Sequence, residues 1–185
     1  MPRVLLIVGH SPRSPGARNL GPTMEPGDDT YEFYFNGPIA TKIARILNAR
    51  GVEAEVDLYQ SGGGNVARWS GASDLLVEFH CNAFNREASG TEVLYAAGSV
   101  KGKAAAQIMQ THLVQALGLP SRGIKSKVRS DRGGYLLMGV SQVALIPEPF
   151  FIDNDGDLER ARSSDLVSAY VAAVTHIVTQ ILERR

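Results

Sequence analysis

His10 closes the apolar run Val4-Leu5-Leu6-Ile7-Val8-Gly9, and Glu32 lies just before a stretch of helical periodicity. His80 ends Asp74-Leu75-Leu76-Val77-Glu78-Phe79, and Glu148 follows Val143-Ala144-Leu145-Ile146 between Pro147 and Pro149. Two imidazoles and two carboxylates are what a hydrolytic zinc site draws on: three protein ligands, a fourth position left for water, and a separate carboxylate to move protons. On that chemistry His10, Glu32 and His80 are candidate ligands and Glu148 the candidate general base. The four are widely spaced and form no local motif, so plainer readings compete. A histidine at a strand end commonly serves as a hydrogen-bonded turn residue, and a helix N-terminus favours any acidic side chain electrostatically. Glu148 is the least ordinary. A carboxylate directly after an apolar strand and flanked by prolines is expected to be buried on a stiff backbone, and burial raises its pKa, as suits a general base.

Other reactive residue types suggest less. Cys81 follows His80, but alternation along a strand turns it to the opposite face, where it reads as a small buried residue. His112 and His176 fall within helical stretches and read as packing residues. Gly62-Gly63-Gly64 lacks a following Lys-Ser or Lys-Thr, so it is a turn and not a phosphate cradle. Arg122, Lys125, Lys127, Arg129 and Arg132 cluster in sequence, which fits either a solvated edge or a contact for substrate carboxylates.

The elements that must position these groups can be read from patterning. With 185 residues, 44% of them hydrophobic and spread along the chain, one substantial core can form in a single domain over 1–185. The unalternating aliphatic run after Arg3 is the pattern of a strand covered on both faces. The next twenty or so residues mix Ser, Pro, Gly, Arg and Asp and make a long loop, a place where function concentrates. From Asn36, Ile39, Ile43, Ile46 and Leu47 recur at helical spacing up to Gly51, and Pro38 fits only the first turn of that helix. Strands are expected over 53–58, 74–79, 91–96 and 143–146, and helices over 103–117 and 165–182, with a short segment near Val66 to Trp69. The interleaving predicts an α/β fold: a twisted, mostly parallel or mixed central sheet of about six strands with helices on both faces. Ligands in such sheets bind beyond strand ends, where His10, His80 and Glu148 stand.

Composition narrows the partners. Nineteen basic and nineteen acidic residues cancel, so bulk charge draws the chain to neither nucleic acid nor an anionic membrane. One cysteine excludes an internal disulfide, and any metal must sit among histidines and carboxylates. No stretch approaches the roughly 20 apolar residues that span a bilayer, and the first apolar run is too short for a signal-peptide core.

Taken in order, these segments resemble the zinc-dependent N-acetylmuramoyl-L-alanine amidases of bacterial cell-wall hydrolases and phage endolysins, the amidase-3 family. The resemblance is carried by Val4 to His10, by Glu32 with Asn36, and by Val77-Glu78-Phe79-His80-Cys81-Asn82-Ala83. It continues through Gly90-Thr91-Glu92-Val93, Arg122-Gly123-Ile124-Lys125 and Ile146-Pro147-Glu148-Pro149-Phe150-Phe151-Ile152-Asp153-Asn154. It implies one zinc ion held by His10, Glu32 and His80, Glu148 as catalytic carboxylate, and hydrolysis of the amide between N-acetylmuramic acid and L-alanine of peptidoglycan. Asn82, Arg122 and Lys125 are the substrate contacts to expect.

The chain departs from the family in three places. Ser11-Pro12-Arg13-Ser14-Pro15-Gly16 is stiffer than the family's glycine-rich loop, and Val56-Asp57-Leu58-Tyr59 replaces its Thr-Arg pair. Pro38 disturbs the turn after Glu32, and Glu25 is the carboxylate that would stand in if that turn shifted. The expected context is a bare catalytic domain without a wall-binding module, monomeric, not inserted in a membrane, and made in the cytoplasm. Such a phage-type lysin would reach the wall through a separate permeabilising protein; a cytoplasmic recycling enzyme or a domain excised from a larger autolysin are the other contexts. The rival functions are a zinc peptidase or deacylase acting on a small free amide, and a non-catalytic wall-binding domain.

Overall fold

Six stretches of the chain pair as strands: β1 (Arg3–Val8), β2 (Glu53–Asp57), β3 (Leu75–Phe79), β4 (Thr91–Ala96), β5 (Ser121–Lys127) and β6 (Val143–Glu148). The structure, a computed structural model, describes residues 2–19, 29–58 and 66–182. The strands form one sheet in the order β2-β1-β3-β6-β4-β5. β2, β1, β3 and β6 run parallel, β4 meets β6 antiparallel, and β5 follows β4 in parallel. The carboxyl ends of β1, β3 and β6 therefore share one edge of the sheet, at which β4 begins.

Helices cover both faces: α1 (Glu32–Ala49), α2 (Val66–Trp69), α3 (Val100–Leu117), α4 (Gly134–Gly139), α5 (Asp155–Ser163) and α6 (Leu166–Ile177), which runs on as a π-helical turn over Val178–Leu182. Alternation splits the strands between two cores. Leu6, Val8, Val77, Phe79 and Leu145 pack with Ile43 of α1, Met109 of α3 and Val174 of α6. Leu5, Ile7, Leu76 and Ile146 face the opposite way, against Trp69 of α2 and Leu137 of α4. Burial on both sides explains why β1 and β3 read as unbroken apolar runs. Each fully buried aliphatic side chain there contributes up to about 1.5–3 kcal/mol.

Four differences from the sequence reading have physical causes. Helix α1 starts a turn earlier than its isoleucine pattern suggests, so Glu32 is its first residue and Pro38 lies inside it. The loop supplies acceptors for the first-turn donors: Glu32 N–H bonds Ala17 O at 3.1 Å and Phe33 N–H bonds Pro15 O at 3.0 Å. That is why Tyr31 needs no side-chain cap, and the cost of Pro38 is one missing donor. Helix α3 likewise starts earlier, at Val100, because Ser99 Oγ accepts from Gly102 N–H at 2.9 Å. Strand β6 continues through Pro147 into Glu148, since the proline carbonyl still accepts from His80 N–H at 3.3 Å. Finally, β5, α4 and α5 were not readable from patterning. Strand β5 is a polar edge strand, where charge is tolerated and discourages further pairing. Glu25 and Gly62-Gly63-Gly64 lie outside the described residues.

Candidate metal centre

Strand β1 delivers His10 through Gly9, whose N–H bonds Phe79 O of β3 at 3.0 Å and so ties the two histidine-bearing strand ends together. His10 itself has φ 69, a left-handed conformation that costs energy for a side chain of this size. The chain then folds back through a tight turn in which Ser11 and Ser14 exchange backbone hydrogen bonds. Residues 15–19 next run alongside 30–33, with Asn19 N–H bonding Thr30 O, and this pairing sets Glu32 against His10.

His10 Nε2 lies 3.0 Å from Glu32 Oε2, and His80 Nδ1 lies 3.4 Å from Glu32 Oε1. One donor atom from each of the three residues fits within 4.8 Å of the others. Glu32 is 1% exposed, and both its oxygens are already oriented: Oε2 accepts Ala17 N–H at 2.7 Å, Oε1 accepts Cys81 N–H at 2.8 Å. Both facing ring nitrogens are buried, and among the described residues neither has a hydrogen-bond partner, since contact with Glu32 lacks hydrogen-bond geometry. Unpartnered buried nitrogens are costly unless something else takes their lone pairs. Two imidazole nitrogens and a carboxylate oxygen converging in this way are a donor set that zinc accepts, so the residues present fit the ion.

The electrostatics of the metal-free cluster agree. Burial alone would lower the His80 pKa, but Glu32 and Glu78 outweigh it and push the imidazole up to about 10. Burial would raise Glu32, and the close imidazoles of His10 and His80 hold it below the ordinary carboxylate range instead.

Glu148, 6% exposed, is brought beside His80 by the Pro147 hydrogen bond. With Glu78, His80 and Arg132 it lines a cavity of about 90 Å³ whose apolar wall includes Leu94 and Ile146. A space of that size is large enough for a water molecule, with the four charged or polar side chains as its partners. Burial pushes the Glu148 carboxyl above its ordinary value, assisted by Glu92 and Glu32 and opposed by His80 and Arg132. Asn82 Nδ2 donates to Glu92 Oε1 at 3.0 Å, and Arg122 Nε donates to Glu92 Oε2 at 2.9 Å while its guanidinium lies 4.9 Å from the Phe151 ring centre. Glu92 is the register partner of Glu148, so Asn82 and Arg122 stand beside the base through one shared carboxylate. Lys125 is exposed on the edge strand opposite Leu94, further along the sheet.

Sequence position alone does not single out Arg132 from its basic neighbours or Glu78 from a strand of core residues. Of the remaining candidates, Cys81 is fully buried, its thiol pushed up by that burial and receiving Asn36 Nδ2 at 3.6 Å. Its backbone N–H, not its sulfur, serves the site. His112 and His176 pair across α3 and α6 at 3.4 Å, apart from the cluster.

The family model described as N-acetylmuramoyl-L-alanine amidase matches residues 4–180. Among solved structures, the catalytic domain of an endolysin targeting Clostridia Difficile superposes with a TM-score of 0.73 at 24% identity, covering 97% of each chain. The catalytic domain of CwlV, an amidase from Bacillus (Paenibacillus) polymyxa var. colistinus, gives 0.75 at 22% identity over 99% of each. AmiC2 of Nostoc punctiforme gives 0.73 at 23% identity over 98% of each. At such identities the superpositions show a common fold. No curated protein matches the chain by sequence.

Proposed function

Since this chain belongs to the N-acetylmuramoyl-L-alanine amidase family and is an amidase of peptidoglycan, we propose that it works with one zinc ion held by His10, Glu32 and His80 and with Glu148 as its catalytic carboxylate. The observation that carries this reading is the pair of buried ring nitrogens, His10 Nε2 and His80 Nδ1, without a hydrogen-bond partner among the described residues and directed at the buried Glu32 carboxylate. Zinc bound there supplies a Lewis acid toward the scissile carbonyl and lowers the pKa of water toward about 7.

Glu148 takes a proton from the attacking water as the water oxygen bonds to the lactyl carbonyl carbon of N-acetylmuramic acid. It then returns that proton to the L-alanine nitrogen as the carbon–nitrogen bond breaks, leaving a lactyl carboxylic acid, whose remaining proton passes to solvent or to the amine, and a free alanine amine. A raised pKa lets one carboxyl act first as base and then as acid. No covalent intermediate with the protein is needed. Asn82 and Arg122, fixed on Glu92, form the polar wall beside the reacting amide, and Arg122 with Lys125 meets carboxylates of the stem peptide. A lysin role is supported by the likeness to an endolysin catalytic domain over nearly the whole of both chains.

The test is release of amino-terminal alanine from purified peptidoglycan by the wild type, by chelator-treated protein and by Glu148→Gln. Release that needs both metal and Glu148 is the expected result. Zinc binding without wall cleavage would assign the site to a small-amide hydrolase, and full activity in chelator would end the zinc mechanism.

A further inference from the structure

Glu78 is buried in β3 among Leu75, Leu76, Val77 and Phe79, and neither the metal set nor the proton transfer uses it. A carboxylate taken from water into such surroundings costs several kcal/mol unless it is partnered. Its partner is a metal ligand. Glu78 Oε2 lies 3.5 Å from His80 Nε2, while the other ring nitrogen of His80, Nδ1, lies 3.4 Å from Glu32 Oε1. The imidazole is therefore threaded between two carboxylates, one at the metal group and one behind it. Strand geometry explains the placement, because residues two apart share a face and Glu78 sits under the ring it would serve.

A second feature holds the ring in place. A Cβ at Gly9 would stand 2.5 Å from His80 Cε1 and 2.6 Å from Nε2, so the imidazole packs closely against the backbone just after β1, and only glycine leaves it room.

We propose that Glu78 is a positioning residue for His80: by accepting the Nε2 proton it selects the tautomer that leaves the Nδ1 lone pair for the metal. A neutral imidazole carries its proton on one nitrogen or the other, and the hydrogen bond on the far side decides which. This rests on the zinc reading above and deepens it. Glu78 acts through His80, since the ring separates its carboxylate from the Glu32 side of the group.

The experiment is chelator-competition measurement of zinc affinity for the wild type, Glu78→Ala and Glu78→Gln, together with nitrogen-15 spectra of histidine-labelled, zinc-loaded wild type. The expected results are a loss of about 10–100-fold in zinc affinity for Glu78→Ala, recovery of most of it in Glu78→Gln, which keeps an acceptor oxygen, and an Nε2–H signature for His80. Unchanged affinity in Glu78→Ala, or an Nδ1–H tautomer in the loaded wild type, overturns the proposal. If Glu78→Ala does not fold, the Gln variant and the wild-type spectrum decide it. Wild-type protein that takes up no zinc would overturn the metal centre and this role together, whereas wild-type uptake with an indifferent Glu78→Ala overturns the role of Glu78 alone.

Discussion

Glu148 carries two separable consequences of burial. As the proton carrier it should be nearly indispensable: Glu148→Gln is expected to lower the alanine-release rate by about 10²–10⁴-fold while zinc affinity stays close to wild type. As a buried carboxyl with a raised pKa it also opposes folding when ionised. The sign follows from linkage: its contribution is fully favourable below the ordinary value of 4.5 and is lost as pH rises through the higher folded value. Metal-free Glu148→Gln should therefore be more stable than the wild type at pH 7, and the gap should close by pH 4 in urea melts. A gap that does not change with pH would show that burial of this carboxyl is not what the variant relieves.

Between residue and fold stand the loop that sets Glu32 and the helix that closes the core. Gly16 has φ +87, and a Cβ there would lie 2.5 Å from Glu32 Oε2 and 2.6 Å from His10 Cδ2. Gly16→Ala is expected to lose about 1–3 kcal/mol of stability through backbone strain and to weaken zinc binding at the same time, which melts with and without zinc would separate. The stiff loop noted in the sequence is thus compatible with the site because glycine stands where the loop passes close to Glu32 and His10. On α6, Tyr170 packs its ring 4.8 Å from Phe79, yet its buried hydroxyl has no hydrogen-bond partner among the described residues. Tyr170→Phe keeps the packing and removes an oxygen whose burial costs about 1–3 kcal/mol. A Tm rise of roughly 2–4 °C per kcal/mol recovered is expected in a chain of this size.

Over the whole molecule, the site joins β1, α1, β3 and β6 at one edge of the sheet, so a bound ion links segments far apart in sequence. Zinc that binds only the folded chain stabilises it by about 2.7 kcal/mol at a hundredfold excess over Kd. Chelation should accordingly lower Tm by roughly 5–10 °C in calorimetry, and no change would mean that no ion is held by this group. No single helix among the described residues is long and apolar enough to cross a membrane.

Hydrophobic patterning and the breaks after it were enough to read five of the six strands, the long helices and the four residues at their ends, because hydrophobic periodicity and strand punctuation are local properties. Three of the candidate site residues were legible for the same reason: His10, His80 and Glu148 each interrupt an apolar segment. Strand β5, the early start of α1 and the placement of Glu78, Glu92 and Arg132 were not legible. Strand β5 is polar because it lies at an edge, α1 starts where loop carbonyls from residues 15 and 17 meet its first N–H groups, and the three side chains acquire their partners through β3, β6 and β4 lying side by side. Residue type and period are written along the chain, whereas strand order, and with it which carboxylate stands behind which histidine, arises from contacts between segments that no local pattern encodes.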